Sequence, residues 1–283
     1  GWKVTSISLN KPLKKRYLSN VRYIKLDITK KKQLKNKIKE KYNYVVNFAG
    51  YVNHYEKKKT FNSHYKGCKN LIDFFINKKI ESFIQIGSCT EYGSLRSPQS
   101  EKIMSNSRNF RSTYGKAKYL ATKYLIKKNI ENNFPFTVLR LYLVYGPKQD
   151  YNRLIPVVIK NCIKKKTFPC SNGSQLRDFL YVDDFVKSVF KCLKSKDSKG
   201  QIFNIGYGKP IKVSGVINKI NKTIGFGNPQ FGKISLRADE INSLYPNIRK
   251  SAKILKWKPT TKFLTGIKKT IKYYKNSLKE DLN

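Results

Sequence analysis

The stretches Tyr44-Val-Val-Asn-Phe-Ala49 and Ser82-Phe-Ile-Gln-Ile-Gly87 bracket a longer segment, Phe61 to Lys78, whose apolar residues recur at helical spacing. Short apolar runs of this kind read as strands buried on both faces. Two such strands joined through a helix make a parallel pair with a right-handed crossover. The alternation continues outward: Val4 to Ile7 and Phe136 to Tyr142 read as strands, Lys30 to Lys41 and Ser112 to Lys128 as helices, the last with Ser112 or Thr113 as N-cap. The expected fold is α/β, a doubly wound parallel sheet with helices on both faces.

Beyond Gly146-Pro147 the pattern shortens. Leu176 to Tyr181 and Gln201 to Ile205 read as strands, Leu154 to Lys165 and Asp183 to Lys194 as helices, and 206–232 as a stretch punctuated by Gly and Pro. A last amphipathic helix, Thr261 to Lys275, carries Phe263, Leu264, Ile267 and Ile271 on one face. The expected organisation is a doubly wound domain over 1–150, to which 176–206 returns, and a smaller interleaved lobe over 151–175 and 207–283. Gly1-Trp2-Lys3-Val4 opens in what reads as a second strand, and no glycine-rich strand-to-helix turn occurs in a suitable place. An N-terminal truncation that removes the first strand and that turn is therefore expected.

A chain of 283 residues with 39% hydrophobic and 13% aromatic residues can bury a full core, which excludes disordered and fibrous classes. No apolar run is long enough to cross a bilayer and no signal-peptide pattern opens the chain, so a cytoplasmic location and no membrane partner are expected. Five cysteines without a CxxC pair and only two histidines predict reduced thiols and no metal site. The net charge of +43 suggests a nucleic-acid partner at first. Yet 50 of the 60 basic residues are Lys and 10 are Arg, and 80–101, 129–147 and 167–186 hold no lysine at all. The excess sits where helical faces and loops are expected, which reads as solvated surface and leaves RNA binding as the alternative.

Tyr114-Gly-Lys-Ala-Lys118 sets a phenol and an ammonium at i and i+4, on one face of the helix expected from Ser112. A lysine charge beside a phenol favours the phenolate, so the pair can transfer a proton to or from a carbonyl or alcohol. Ser88 follows directly on a buried strand, at the carboxyl edge where open parallel sheets bind ligands, and its hydroxyl can hold the same substrate oxygen.

With these residues in view the sequence resembles the extended short-chain dehydrogenase/reductases, in the NAD-dependent epimerase/dehydratase group that acts on nucleotide sugars, a family with the Rossmann fold. Leu26-Asp27-Ile28 resembles the acidic position near the adenine, Asn47-Phe-Ala-Gly50 the cofactor turn, and Ser88-Cys-Thr-Glu-Tyr-Gly93 the active-site serine stretch. Tyr114 to Lys118 matches YxxxK, and Arg140-Leu-Tyr-Leu-Val-Tyr-Gly-Pro147 is similar to RxxxVYGP. Arg177-Asp-Phe-Leu-Tyr-Val-Asp-Asp184, Asn204-Ile-Gly206 and Lys256-Trp-Lys-Pro259 resemble the family's RDFxxVxD, NIG and GWxP segments. The resemblance implies Ser88, Tyr114 and Lys118 as catalytic residues. It implies Asp27, Ile28, Phe48, Ala49, Gly50, Tyr114, Lys118 and Tyr142 around NAD or NADP, and Ser88, Arg153, Arg177 and Arg237 around a nucleotide-sugar, with a homodimer as in relatives.

Departures narrow the reaction. Sugar 4,6-dehydratases resembling this family carry Asp-Glu directly after the serine or threonine; here stand Cys89 and Thr90, with Glu91 displaced by one residue and so aimed elsewhere. Many 4-epimerases carry Asn where this chain has Leu143. Reduction of a 4-keto(-6-deoxy) sugar is the expected activity, with nucleotide-sugar 4-epimerisation as the alternative and a non-catalytic binding protein for RNA or another polyanion as the alternative of a different class. His64 and His54 stand near the expected site as candidate contacts or packing residues. After the strand Val4 to Ile7 come Ser8, Asn10, Lys11, Lys14, Lys15 and Arg16 rather than an acid, so NADP is expected to bind at least as well as NAD.

Overall fold

The computed structural model describes residues 1–53, 55–102, 110–236 and 240–280. The strands are β1 (Val4–Ser8), β2 (Val21–Lys25), β3 (Tyr44–Asn47), β4 (Ser82–Ser88), β5 (Phe136–Leu141), β6 (Leu143–Tyr145), β7 (Thr167–Pro169), β8 (Leu176–Arg177), β9 (Phe179–Tyr181), β10 (Gln201–Ile205), β11 (Ile211–Lys212), β12 (Asn228–Gln230) and β13 (Ser243–Leu244). The α-helices are α1 (Lys31–Lys37), α2 (Lys57–Phe61), α3 (Cys68–Phe75), α4 (Thr113–Asn132), α5 (Leu154–Ile163), α6 (Val182–Lys194), α7 (Val213–Ile224), α8 (Arg249–Ile254) and α9 (Phe263–Glu280). The chain divides into two compact units, the first made of Gly1–Glu91, Ser107–Leu139 and Ser198–Ile202, the second of the remainder.

In the first unit the α/β expectation holds. β1 and β2 pair in parallel, Val4 opposite Val21 through Ser8 opposite Lys25. A four-stranded sheet runs in the order β10-β5-β4-β3, with β3 and β4 parallel and Tyr44 opposite Ser82. The strand order is not the chain order, so helices cross over between strands, as buried apolar strands require. Phe83 of β4 is fully buried among Leu71, Ile72, Phe75, Ala121, Leu125, Phe134 and Phe136. Each such side chain contributes roughly 1.5–3 kcal/mol on leaving water.

Several boundaries differ from the sequence reading, each for a local reason. β2 was not expected, because Val-Arg-Tyr-Ile-Lys is short and interrupted by charge. α1 ends at Lys37, since Ile38 turns to φ −100° and ψ 93° to bury its side chain. The helix expected over Phe61 to Lys78 begins at Lys57 and widens into a π-helical turn at Asn62–Gly67 before α3. α4 runs on to Asn132 and stops on Asn133, which adopts the left-handed conformation (φ 52°) that asparagine tolerates at a helix end. α7 occupies part of the Gly/Pro-punctuated stretch, with Val213, Val216, Ile217, Ile220 and Ile224 buried along one face.

The second unit has its own core, in which Tyr145, Ile159, Phe179, Ile217, Ile220, Phe263 and Ile267 pack together. Its recurring segments are tied by buried polar contacts. The Asp178 carboxylate accepts from Tyr207 N (2.7 Å) and Gly208 N (2.6 Å). Burial pushes its pKa up to about 6, against the pull of those backbone N–H groups. A Cβ at Gly206 would fall 2.6 Å from Asp178 Oδ1, so the turn closes only on glycine. Asp184 accepts from Thr260 Oγ1 (2.9 Å) and Thr261 N (2.8 Å), while Trp257 Nε1 donates to Asp184 O (3.0 Å). The buried Tyr92 hydroxyl donates to Asn204 Oδ1 (2.8 Å), and the Arg140 guanidinium lies 4.4 Å from the Tyr92 ring centroid.

None of the five cysteines is paired in a disulfide, and all are buried. Among the described residues no helix is long and apolar enough to cross a membrane, and no His/Cys/Asp/Glu group is set to hold a metal. Asp178→Ala is expected to cost about 3 kcal/mol, because two buried N–H groups lose their acceptor; urea unfolding at neutral pH measures the loss.

Candidate active site

Ser88 ends β4, is 6% exposed, and leads into a single 3₁₀ turn, Cys89–Tyr92. The turn is wound around Ser88 itself. Ser88 Oγ accepts from Thr90 N (3.2 Å) and Thr90 Oγ1 (2.9 Å), and Ser88 N donates to Glu91 Oε1 (2.9 Å). Facing the turn, Ser112 caps α4 by accepting from Gly115 N (3.1 Å). A Cβ on Gly115 would stand 2.7 Å from the Thr90 carbonyl oxygen, so the absence of a side chain lets the first turn of α4 lie against the turn after Ser88. Tyr114, half-buried, arrives with it.

One turn further along α4, Lys118 is 4% exposed and its Nζ donates to Ile86 O (2.6 Å), 5.8 Å from the Tyr114 ring centroid. Burial lowers the Lys118 pKa, and charge on Cys68 or Glu91 acts in the opposite direction. The same Ile86 carbonyl accepts from Gln85 Nε2 (2.9 Å). Gln85 Oε1 in turn accepts from Asn47 Nδ2 (2.7 Å) and Cys68 Sγ (3.0 Å), and Asn47 Oδ1 accepts from Ala49 N (3.1 Å). A buried polar chain thus runs from the turn after β3 to the lysine on α4. Cys68 takes part as a neutral thiol, its pKa pushed up to about 12 by burial.

The other candidate cofactor residues of the first unit gather about the helical segment 64–70. Asp27 Oδ1 accepts from Thr29 N (2.8 Å) and Thr29 Oγ1 (2.7 Å). Ile28 O accepts from Asn70 Nδ2 (3.0 Å), and the Ile28 side chain fills the space that a Cβ on Gly67 would need, 2.7 Å away. Gly50 is held as tightly: its Cβ would meet His64 Cε1 at 1.9 Å. His64 Nε2 donates to Tyr51 O (3.1 Å), and its ring meets that of Tyr114 edge-on at 4.8 Å between centroids. The π-helical turn carries His64 into this position. Phe48 and Val52 remain 61% and 67% exposed after β3.

The structure therefore brings Ser88, Tyr114 and Lys118 into one unit with Asp27, Ile28, Phe48, Ala49 and Gly50. Three more candidates belong to the second unit. Tyr142 is buried there and its hydroxyl donates to Gln99 Oε1 (2.7 Å). Arg177 is 7% exposed, pairs with Glu240 and donates to Leu176 O (2.8 Å). Arg153 is exposed at the N-terminal end of α5. Arg237 and His54 lie outside the described residues. Sequence reading did not single out Gln85 or Thr122, although Thr122 stands at i+4 from Lys118, and it gave Glu91 no destination. Glu91 turns inward to full burial, where Oε2 accepts from Thr122 Oγ1 (2.8 Å).

A half-buried phenol and a buried amine on α4 thus share one α/β unit with the hydroxyl that ends the parallel strand β4. Residues 1–206 match the family model described as the NAD dependent epimerase/dehydratase family, and the chain belongs to that family. A putative UDP-glucose 4-epimerase of Methanocaldococcus jannaschii is 33% identical over 171 residues, which is 59% of this chain and 54% of that protein. CDP-abequose synthase of Salmonella typhimurium is 30% identical over 148 residues, 50% of this chain and 49% of that protein. The chain thus spans about half the length of these curated relatives. The crystal structure of UDP-glucose 4-epimerase from Thermotoga maritima, solved with UDP-glucose, shares the fold at a TM-score of 0.91 and 22% identity, covering 98% of this chain and 92% of that one.

Alanine normally stabilises a helix over glycine by about 1 kcal/mol. Gly115→Ala is expected to do the reverse, losing about 1–3 kcal/mol because backbone stands where its Cβ must go; thermal or urea unfolding against wild type gives the sign directly.

Proposed function

We propose that this chain is an NAD(P)-dependent oxidoreductase of nucleotide-diphospho-sugars that reduces a 4-keto(-6-deoxy) sugar. The observation that carries the reading is the composition of the turn after Ser88. Where a dehydratase needs carboxylates to take and return a proton, Cys89 is 5% exposed, Thr90 bonds to Ser88, and Glu91 is fully buried on Ser88 N and Thr122. What is left to act on a substrate oxygen is a phenol and a hydroxyl donor. That set suits proton delivery to a carbonyl and does not suit elimination of water.

The residues at the strand ends fit a dinucleotide by their chemistry. Ile28 and the exposed Phe48 offer apolar surface for a flat base, Asp27 a carboxylate beside the adenine, and Lys118 a cation. When bound, the reduced nicotinamide supplies the hydride that adds to the sugar carbonyl carbon. Tyr114 gives its phenolic proton to the carbonyl oxygen, so that the C=O bond becomes C–H and O–H and the phenolate regains a proton from solvent. Lys118 stabilises that phenolate by charge, and Ser88 orients the oxygen. Arg177 and Arg237 would hold the diphosphate, with Arg153 as a further contact, and Tyr142 would line the cofactor. In this reading 1–150 together with 176–206 is the cofactor-binding part, and 151–175 with 207–283 the substrate lobe.

A second reading, 4-epimerisation, is favoured by the likeness to the M. jannaschii protein named as a putative UDP-glucose 4-epimerase. The two separate on stoichiometry, since reduction consumes NADPH mole for mole and epimerisation consumes none. Incubation with 4-keto-6-deoxy nucleotide sugars of several bases and NADPH, followed at the absorbance of the reduced nicotinamide, is expected to show turnover that Tyr114→Phe lowers at least about 100-fold with unchanged cofactor affinity. Absence of turnover with every base would exclude the reductase.

After β1 the chain carries Lys11, Lys14 and Arg16 rather than an acid, which supports acceptance of a 2′-phosphate. Fluorescence titration is expected to give NADP an affinity equal to or above that of NAD, and a strong preference for NAD would reject this part of the reading.

A further inference from the structure

Glu91 is 0% exposed, and the proposed proton transfer makes no use of its carboxylate. Its surroundings give it another part. Oε1 accepts from Ser88 N (2.9 Å) and Oε2 from Thr122 Oγ1 (2.8 Å). Thr122 stands four residues beyond Lys118 on α4, so the two side chains share a helix face about 5–6 Å apart. Through Thr122 the Glu91 carboxylate is thus tied to the same face of α4 as Lys118, whose Nζ rests on Ile86 O, two residues before Ser88. β4 and α4 are joined by two rungs, Lys118 to Ile86 and Thr122 through Glu91 to Ser88, with opposite charges on neighbouring rungs. A charge is kept in the interior only when it is answered by hydrogen bonds and an opposite charge.

We propose that Glu91 is a positioning residue: its buried carboxylate fixes Ser88 to α4 and is the counter-charge that keeps Lys118 an ammonium beside Tyr114. The inference rests on the reading of Ser88, Tyr114 and Lys118 as one site. The groups around Lys118 are Cys68 from α3, Glu91 from the turn after β4 and Tyr114 from its own helix, with His64 of the π-helical turn against Tyr114. Burial lowers the Lys118 pKa and charge on Cys68, then on Glu91, raises it, while burial pushes the Cys68 thiol itself up to about 12, which favours its neutral form. Glu91 is then the anion that opposes the effect of burial on Lys118. Burial lowers the lysine pKa and Glu91 raises it, so removing the carboxylate charge makes Lys118 release its proton at lower pH.

The test is a pH titration of the Lys118 side-chain ¹³Cε resonance, assigned by its loss in Lys118→Arg, on the protein without substrate. Glu91→Gln keeps an acceptor for Ser88 N and a partner for Thr122, and is expected to move the Lys118 midpoint down by about 1–2 pH units. Thr122→Val keeps the charge while removing one rung, and leaves the midpoint within about 0.5 unit of wild type. A midpoint in Glu91→Gln equal to that of wild type overturns the proposal. So does a wild-type midpoint below about 8, which needs no variant to fold, because a lysine answered by a carboxylate is not depressed that far. Because no turnover enters this measurement, its outcome is separate from that of the reductase assay. Where turnover is seen, the alkaline limb of the kcat profile moves down with the midpoint in Glu91→Gln while KM changes little.

Discussion

The close approach of α4 to the turn after β4 is the constraint on which the site depends. Gly115 permits it, because any side chain there would meet the Thr90 backbone at 2.7 Å. The helix start is fixed by the Ser112 cap, and the turn by the bonds of Thr90 and Glu91 to Ser88. Once these two pieces of backbone are in contact, helical spacing alone delivers Tyr114, Lys118 and Thr122 along the end of β4 at successive turns. Sequence, local geometry and chemistry are linked here through one missing Cβ.

The electrostatics of the joint follow from its dryness. Lys118 is 4% exposed and Glu91 0%, so each is costly alone and tolerable only with polar partners. The Asn47, Gln85, Cys68 and Ile86 chain pairs further buried polar atoms and runs back to Ala49 after β3. His64 presses on the same turn at Gly50 and on the Tyr114 ring, tying that turn to the phenol. The turn after β3 and the stretch of α4 that carries Tyr114 and Lys118 are thereby joined within the first unit.

Much of this was legible in the sequence, for identifiable reasons. Buried parallel strands leave continuous apolar runs, so β3, β4 and β5 were placed within two residues. The serine at the strand end and the YxxxK spacing were readable because each is local. The π-helical turn was not, since a single inserted residue leaves the periodicity of Phe61 to Lys78 nearly intact while rotating His64 onto Tyr114. Nor was the inward course of Glu91, whose partners Ser88 and Thr122 are three and thirty-one residues away. α7 was obscured by flanking glycines, although its buried residues at 213, 216, 217, 220 and 224 keep helical spacing. Signatures that read as functional also have structural duties: Asp178, Asp184 and Asn204 each satisfy buried backbone or side-chain groups of the second unit. Arg177 is already paired with Glu240, which no short-range pattern could reveal.

The fate of the hydrogen on the cofactor probes the central claim most directly. Incubating the protein with NADPH carrying deuterium at C4 of the nicotinamide and a 4-keto-6-deoxy nucleotide sugar, then weighing and mapping the sugar by mass spectrometry, follows that atom. The account predicts a product heavier by one deuterium, fixed at sugar C4, with oxidised dinucleotide formed in equal amount. A sugar that changes configuration without gaining the label, while the dinucleotide stays reduced, would contradict it.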